Sequence, residues 1–353
     1  MLESCMTHTE AKYHWGTLPP VPDSTGFAGS FAGISNNALI VAGGANFPDG
    51  GTPWNGGKKT WYDQVFVLEQ PGGPWKVAGK LPRPLGYGVS ITTAGGLLCV
   101  GGSNAEGHYP DAFLLRYANG EIAITDLPPL PVPLANASGA MTDSCIYIAG
   151  GLSAPDATET EQVFYMLDLK EAEQLRAWHS LPPWPGPSRM LAVAGSLDSA
   201  FYLFSGAELQ KGKRIYLKDA YRYHPVSGWE KCADLPRAAV AAPTPAFRYN
   251  GHMLSVFGGD TGEDADSAAV LREKHPGFAD DIIAYDREEN KWVQQGKVHT
   301  RMEEDAVAHP NNSIWAPVTA PAVVWNGMLV IPGGEVRPGT RTPNVLTAAV
   351  AAP

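Results

Sequence analysis

The chain has 353 residues, of which 44% are hydrophobic and 18% charged, and it contains 39 glycines and 31 prolines. This composition is typical of a folded protein with many short strands and tight turns, so it excludes a largely disordered chain. The formal net charge is -10 at pH 7, and no run of lysine or arginine is long enough to follow a phosphate backbone. We therefore expect no nucleic-acid partner.

Targeting and cofactor signals are also missing from the sequence. No stretch of about 18 uninterrupted apolar residues is present, so we expect no membrane partner. Residues 1–15 lack the basic and apolar regions of a secretory signal, which predicts a cytoplasmic protein, or a periplasmic one if a leader was removed. The four cysteines and the single histidines show no metal-ligand spacing, so we expect neither a metal nor another cofactor.

A repeated segment is the strongest signal in the sequence. An apolar strand that runs into a doublet of small residues recurs six times, mostly at the interval of roughly 50 to 60 residues that kelch repeats show. The doublets are Gly43-Gly44, Gly101-Gly102, Gly150-Gly151, Gly206-Ala207, Gly258-Gly259 and Gly333-Gly334. Near the axis of a propeller the inner strands crowd together, so the chain must turn there without a Cβ atom.

Each doublet-bearing strand is preceded by another short apolar strand and followed by two further strands. One alternates polar and apolar residues, as in 63–68, and the next carries a tryptophan and usually ends in Leu-Pro, as in Trp178 with Leu181-Pro182. Four strands per unit predict an all-β, six-bladed kelch-type propeller. Six unrelated glycine turns in a β-sandwich are the alternative, but they do not explain the recurrent order of these features.

The ends of the chain complete the predicted ring. The sixth unit stops without its tryptophan strand, whereas Tyr13 to Pro19 near the N-terminus has the tryptophan and Leu-Pro signature. We therefore expect an N-terminal strand to complete the last blade and close the ring. The prediction is one domain over 1–353, with approximate blades at 27–80, 86–127, 136–181, 189–235, 242–298, and 318–350 plus 12–19.

Two insertions interrupt the repeat, and both leave from the same kind of corner. Residues 47–62 form a glycine-rich loop after the first doublet, and 263–280 predict a short helix after the fifth. We expect both insertions to lie over one face, where long loops are usually lids or binding loops.

Three parts of the sequence resemble the sialic acid mutarotases, also called N-acetylneuraminate epimerases. They are Phe27–Ile34 with Ala42–Phe47, Gly86–Ser90, and Gly334–Thr342 with its Gly-Glu-x-x-Pro-Gly-x-Arg-Thr pattern. In better-known members that last pattern precedes the Phe-Ala-Gly-Ile blade, so the order here resembles a cyclically permuted subgroup. The resemblance implies an isomerase that exchanges the α and β anomers of N-acetylneuraminate, a small sugar acid, without a cofactor.

The resemblance also implies that Glu335 is the acid/base catalyst and Arg341 its essential partner. Residues just past the doublets are natural ligand contacts, and they include Asn46, Asn104, Glu208 and Asp260. Phe47 is a candidate for stacking on a sugar face. We expect Arg341, with Arg189 as a second candidate, to grip the substrate carboxylate, since guanidinium groups bind carboxylates in a bidentate way.

Structural alternatives remain open for several of these residues. Glu335 and Arg341 could form a salt bridge that only stiffens a loop. Glu208 and Arg214 have the same spacing in sequence, and they are either ligand contacts or a second structural pair. Arg189 faces either the funnel or the blade interior. The acidic residues from Asp260 to Asp266 lack the ligand periodicity of a calcium loop, so we interpret them as a solvated helix start.

Three other functions compete with mutarotation of sialic acid. Kelch propellers are often non-enzymatic interaction modules, and such a module would not depend on Glu335. A redox propeller of the galactose-oxidase type needs histidine and tyrosine copper ligands, and the funnel loops offer no such histidine set. A mutarotase for another acidic or acetylated sugar is the third alternative. The sequence gives no oligomeric state.

Overall fold

The computed structural model describes residues 13–49 and 51–350, which form six four-stranded antiparallel sheets. The segments that lead into the first strands of all six sheets surround one central channel. This arrangement confirms the predicted six-bladed β-propeller. Blades are numbered one to six in chain order, and the strands of each blade are numbered from the axis outwards.

Each blade contains a first, second, third and fourth strand, counted from the axis outwards. The first strands are Phe31–Ser35, Val89–Thr93, Ser138–Thr142, Val193–Leu197, Phe247–Tyr249 and Val323–Trp325. The second strands are Ala38–Ala42, Gly96–Val100, Cys145–Ala149, Ala200–Phe204, Met253–Gly259 and Met328–Pro332. The third strands are Gln64–Leu68, Ala112–Ala118, Phe164–Asp168, Ala220–His224, Ala279–Asp286 and Val345–Val350. The fourth strands are Lys76–Lys80, Glu121–Leu127, His179–Ser180, Gly228–Cys232, Lys291–Lys297 and Tyr13–Leu18.

The hydrophobic core lies between neighbouring blades, which explains the continuous apolar runs of the second strands. In blade two, Leu97 and Cys99 pack in the core shared with blade one, whereas Leu98 and Val100 pack in the core shared with blade three. Successive side chains of a strand point to opposite faces, so a strand buried on both faces must be apolar at every position.

In blades one, three and four, the tryptophan of the repeat is hydrogen-bonded to the proline that ends the preceding blade. The indole N–H of Trp178 in blade three donates to the carbonyl of Pro128 at the end of blade two, at 2.8 Å. Trp229 of blade four donates in the same way to Pro182, at 2.8 Å. Trp75 of blade one donates to Pro19, which follows the N-terminal strand, at 2.9 Å. These bonds satisfy the indole donors and link neighbouring blades.

The N-terminal strand closes the ring as predicted. Tyr13–Leu18 pairs antiparallel with Val345–Val350, from Tyr13 opposite Val350 to Leu18 opposite Val345. Blade six therefore receives its fourth strand from the other end of the chain, and its third strand does not end as an open edge. Residue 12 of the predicted segment lies outside the described residues.

A closed ring of backbone hydrogen bonds surrounds the axis just before the first strands. Each member is left-handed, with φ between 50° and 66°, and donates its N–H to the carbonyl of the member in the preceding blade at 2.7–2.9 Å. The members are Gly29, Tyr87, Asn136, Leu191, Ala241 and Thr319. Because Gly29 donates to Thr319, the ring has no free end, and it holds the six blades in one register.

The doublets lie at the same end of the blades as this ring. A Cβ atom on Gly43 would collide with the carbonyl oxygen of Leu85 in the chain leading to blade two, which is the close approach that the sequence predicts. The fourth doublet differs from the prediction, because Ser205 and Gly206, and not Gly206 and Ala207, occupy the two left-handed positions. The Ser205 hydroxyl donates to Leu217 and accepts from the N–H of Ala239, so its side chain contributes to this turn.

Short ribbons and helices extend from this doublet face. The ribbons pair Ala45–Asn46 with Thr60–Trp61, Ala207–Gln210 with Lys213–Tyr216, and Glu335–Arg337 with Thr340–Arg341. The 263–280 insertion contains the α-helix Ala268–Leu271 and the 3-10 helix Arg272–Lys274, as predicted. Two 3-10 helices on this face are Pro53–Asn55 and Pro310–Asn312, whereas the 3-10 helix Glu173–Leu175 connects the third and fourth strands of blade three at the opposite end of the blade. Among the described residues, no helix has the length and apolarity needed to cross a membrane.

Candidate active site

One position per blade follows the doublet and forms a β-bridge with the residue that precedes the axial ring. The six residues at this position are Ala45, Ser103, Leu152, Ala207, Asp260 and Glu335. Four of them are small or apolar, whereas blades five and six carry carboxylates. The two carboxylates at this position therefore belong to adjacent blades, on one side of the axis.

Glu335 and Arg341 are directly opposite each other in the ribbon of blade six. Their closest atoms are Oε1 of Glu335 and Nη1 of Arg341, 3.5 Å apart, and the same Oε1 accepts a hydrogen bond from the N–H of Gly339 at 2.7 Å. The carboxylate is 19% exposed and the guanidinium side chain only 4%. Glu335 can therefore meet a ligand while Arg341 supports it from a buried position.

The guanidinium of Arg341 lies between an aromatic ring and a phenol. It is 4.9 Å from the ring centroid of Phe47, and its Nη2 donates to the hydroxyl of Tyr87 at 3.3 Å. Among the described residues, its Nε and Nη1 have no hydrogen-bond partner. Burial acts to lower the pKa of Arg341, but the Glu335 carboxylate and the Tyr87 hydroxyl outweigh it and hold the pKa above its usual value. Arg341 is thus a fixed cation whose Nε makes no hydrogen bond among the described residues and whose Nη1 has only the ion pair with Glu335.

Tyr87 and Lys59 belong to this site although the sequence analysis did not select them. Tyr87 is a member of the axial ring and lines the central channel. The ammonium of Lys59, from the first insertion, lies 3.9 Å from the centroid of the Tyr87 ring and 4.8 Å from that of Trp61. In the sequence, Tyr87 is recognisable only as a bulky polar residue just before a first strand. The closed ring shows that this position faces the axis.

A side chamber of about 430 Å³ adjoins Arg341. We use this name for the cavity walled by Phe47 and Thr52 of the first insertion, Glu273 of the second, Asn311, Arg337 and Arg341. Both insertions thus lie over one face, as expected. They also meet at this cavity, together with a loop at 299–314 that the sequence analysis did not identify. Arg337 fastens these loops, because its Nη atoms donate to the backbone carbonyls of Glu273, Ala306 and Val307.

The carboxylate of blade five is held by a tyrosine. Tyr216 donates its hydroxyl to Oδ2 of Asp260 at 2.9 Å, and burial together with this carboxylate raises the pKa of Tyr216 to about 12. The N–H of Gly262 donates to the other oxygen of Asp260 at 2.9 Å. His275 of the second insertion is also buried, and burial lowers its pKa while Asp264 and Asp260 act in the opposite direction. Asp260 is therefore anchored at the doublet face, one blade away from Glu335.

The side chains of Asn46 and Asn104 are engaged in hydrogen bonds within the protein. Asn46 is 1% exposed, donates to the carbonyl of Gly26 and accepts from the hydroxyl of Tyr62. Asn104 donates to the carbonyl of Pro84 and accepts from Tyr109. Both lie one residue further past the doublet than Glu335, and alternation in a strand turns such a neighbour to the other face. We exclude both from the proposed site.

Glu208 and Arg189 also lie apart from Glu335. Because the fourth doublet is displaced by one residue, Ala207 occupies the position of Glu335, and Glu208 is opposite Ile215 and not Arg214. Arg189 is completely buried, forms an ion pair with Asp219 at 2.8 Å and donates to the carbonyl of Ser205. These contacts favour a structural role for Arg189 inside the propeller.

Comparison with known proteins gives the family of the chain. The family model described as N-acetylneuraminate epimerase matches residues 4–124 and 127–261. The N-acetylneuraminate epimerase of Brucella suis is 40% identical over 119 residues, and that of Haemophilus influenzae is 27% identical over 236 residues. The chain spans 30% of the length of the first relative and 57% of the second, and 30% and 61% of the chain are covered. Since the family match covers more than half of its residues, the chain belongs to the N-acetylneuraminate epimerase family.

Proposed function

We propose that this protein is a mutarotase that interconverts the α and β anomers of N-acetylneuraminate through the open-chain keto form. Membership of the N-acetylneuraminate epimerase family supports the substrate. The observation that carries the proposal is the partly exposed Glu335 carboxylate, 3.5 Å from the buried guanidinium of Arg341 on the doublet face.

Anomer exchange requires two proton transfers. One group takes the proton from the anomeric hydroxyl while a proton is delivered to the ring oxygen, and the direction reverses when the other anomer closes. In Glu335, Oε1 already accepts the N–H of Gly339. This leaves Oε2 as the oxygen that takes the proton of the anomeric hydroxyl and passes it to the ring oxygen as the bond between that oxygen and the anomeric carbon breaks. The reverse transfer re-forms the bond and closes the other anomer.

Arg341 has the complementary task of binding the substrate carboxylate. Among the residues described, its Nε makes no hydrogen bond and its Nη1 has only the ion pair with Glu335, so a carboxylate that binds beside Glu335 supplies acceptors to both. In a sialic acid the carboxylate is attached to the anomeric carbon itself. A carboxylate held by Arg341 therefore brings the anomeric hydroxyl next to Glu335, which turns proton transfer into a reaction between neighbours.

Tyr87 and Phe47 act as positioning residues for this cation. The Tyr87 hydroxyl accepts a hydrogen bond from Nη2, and the Phe47 ring supports the face of the guanidinium. Both contacts restrict the rotation of Arg341, so less freedom is lost when the substrate binds.

The proposal also covers the arrangement of the chain. We propose that the blade order is cyclically permuted relative to better-known family members, with the Glu335 blade last. The family match ends at residue 261, before blade six, and blade six is completed by the N-terminal strand, next to blade one. Both observations support the permuted order.

The test is to follow anomer equilibration by proton NMR for a panel of freshly dissolved sugars. The panel contains N-acetylneuraminate, other sugar acids and neutral N-acetylated sugars. We expect the protein to accelerate equilibration of N-acetylneuraminate most. Faster exchange of another sugar acid would reassign the substrate, and no acceleration of any sugar would favour a non-enzymatic interaction module.

A further inference from the structure

One member of the axial ring has no side chain. All six members are left-handed, with φ between 50° and 66°, yet five of them carry side chains and Gly29 of blade one does not. A left-handed backbone is costly for a residue with a Cβ atom. The ring nevertheless accepts Ala241 and even the β-branched Thr319, so its conformation alone does not explain the glycine.

The space beside Gly29 is occupied by the aromatic ring of Tyr87. A Cβ atom at residue 29 would lie 2.6 Å from Cδ1 and 2.8 Å from Cγ of that tyrosine. Carbon atoms in contact are normally at least about 3.5 Å apart, so the two could not coexist. Because Cγ is the first atom beyond Cβ, the tyrosine could avoid the clash only by turning about χ1.

This contact lies on the path by which Tyr87 reaches the proposed reaction site. Gly29 stands between Thr319 of blade six and Tyr87 of blade two in the axial ring and is hydrogen-bonded to both. Arg341 belongs to blade six, so the Tyr87 side chain passes blade one before its hydroxyl accepts from Nη2 at 3.3 Å. A side chain at residue 29 would stand in that path.

We propose that Gly29 is a positioning residue of the reaction, because its missing side chain leaves the recess in which the Tyr87 ring lies with its hydroxyl against Arg341. This inference rests on the proposed function, since it assumes that Arg341 binds the substrate carboxylate. A methyl group in the recess turns the Tyr87 ring away and breaks the hydrogen bond to Nη2. The guanidinium then loses a restraint on its rotation, so substrate binding weakens, whereas Glu335 keeps its place.

The experiment adds a methyl group at residue 29 in three backgrounds. Gly29→Ala is made in the wild-type protein, in Tyr87→Phe, which keeps the ring without its hydroxyl, and in Tyr87→Ala, which removes the ring. Denaturant unfolding measures the loss of stability. Proton NMR of anomer exchange measures kcat and KM for N-acetylneuraminate.

Gly251→Ala is the matched control for the backbone. Gly251 is also left-handed, with φ of 75°, and lies in the turn between the first and second strands of blade five, at the end opposite the doublets. Among the described residues, no atom lies within 4 Å of a Cβ atom placed there. This variant therefore measures the cost of the left-handed conformation without a clash.

We expect Gly29→Ala to raise KM by about three- to tenfold in the wild-type background, the effect of losing one hydrogen bond, with kcat nearly unchanged. In Tyr87→Phe and Tyr87→Ala, which have already lost that bond, we expect no further rise in KM. Stability should respond in a different order. We expect the loss to exceed that of Gly251→Ala in the wild-type protein and in Tyr87→Phe, and to fall to the level of the control in Tyr87→Ala.

Two results would overturn the proposal: an unchanged KM in Gly29→Ala, or the same rise in KM in all three backgrounds. If Gly29→Ala does not fold, its combination with Tyr87→Ala decides. Recovery of folding in the double variant supports the recess, whereas a double variant that also fails to fold places the defect in the backbone and refutes the role of the tyrosine.

The same variants separate this inference from the proposed function. If the wild-type protein accelerates exchange but Gly29→Ala does not change KM, the positioning role is wrong and the mutarotase assignment stands. If the wild-type protein accelerates no exchange, the mutarotase assignment is wrong, and the affinity for N-acetylneuraminate from isothermal titration replaces KM. The expected pattern of affinities would then show that Gly29 positions Arg341 for binding alone.

Discussion

Glu335 and Arg341 are cross-strand partners in the ribbon of blade six, with 3.5 Å between Oε1 and Nη1. The same spacing in sequence, Glu208 with Arg214, produces no such pair, because Glu208 is opposite Ile215 in the ribbon of blade four. A shift of one residue turns a strand side chain to the other face. The two glutamates therefore form a natural pair of test and control positions.

Replacement of the proposed catalyst tests the mechanism directly. Glu335→Gln keeps the size of the side chain and removes its ability to accept a proton. We expect the enzyme-catalysed rate of anomer exchange to fall by about 10²- to 10⁴-fold, the usual contribution of a general acid/base. Proton NMR of N-acetylneuraminate measures the rate, and Glu208→Gln should retain it. Wild-type exchange in Glu335→Gln would reject the assignment.

The role of Arg341 is tested by a lysine at the same position. Arg341→Lys keeps the charge but loses the bidentate geometry and the contacts with Tyr87 and Phe47. We expect kcat/KM for N-acetylneuraminate to fall by about 10- to 100-fold, mostly through KM. Arg214→Lys, on the exposed ribbon of blade four, is the control. Equal kinetics in both variants would contradict a role of Arg341 in carboxylate binding.

Tyr87 is expected to act through Arg341 and not on the sugar ring. Tyr87→Phe retains the aromatic ring beneath Lys59 and removes only the hydroxyl that accepts from Nη2. We expect KM to rise by about three- to tenfold, the worth of one hydrogen bond, with kcat nearly unchanged. A large fall in kcat with a constant KM would instead make Tyr87 a proton donor to the substrate.

The tryptophan of the repeat should contribute to stability through the neighbouring blade. Trp178→Phe removes the indole donor to Pro128 and leaves some empty space in the core between blades two and three. We expect a loss of about 1 to 3 kcal/mol in the free energy of unfolding. Denaturant unfolding measures it, with Trp54→Phe in the first insertion as the control. An equal loss in both variants would argue against the bond between blades.

Buried His275 should make the protein less stable in mild acid. Its pKa is lowered by burial from the usual 6.5, so the unfolded chain binds a proton at a pH at which the folded protein does not. Stability is therefore lost as the pH falls through about 6.5 towards the lower folded pKa. His108, whose pKa is also lowered by burial, adds to this loss.

The measurement compares the free energy of unfolding at about pH 7.5 and about pH 5.5, the two sides of the histidine titration. His275→Asn keeps an acceptor for the N–H of Gly277 but cannot titrate. We expect this variant to lose less stability between the two pH values than the wild-type protein loses. A loss as large as that of the wild-type protein would show that His275 does not titrate on unfolding.

The sequence alone determined the number of blades, their closure and one chemical pair. The doublet, the alternating strand, the tryptophan and the Leu-Pro pair recur in the same order along the chain. Such a repeat, and the two-residue alternation of its strands, can be recognised in the sequence without coordinates. The segment from Glu335 to Arg341 was selected through its resemblance to the mutarotase pattern Gly-Glu-x-x-Pro-Gly-x-Arg-Thr, and the two residues do meet across a short ribbon.

Tertiary structure decided which other side chains accompany that pair. The side chamber combines segments near Thr52, Asn311 and Arg341, which are far apart in the chain and converge only because the ring closes. Tyr87 reaches Arg341 for the same reason, whereas Arg189 turns into the blade interior. Strand periodicity specifies a face, but ring closure and loop packing decide which faces come together.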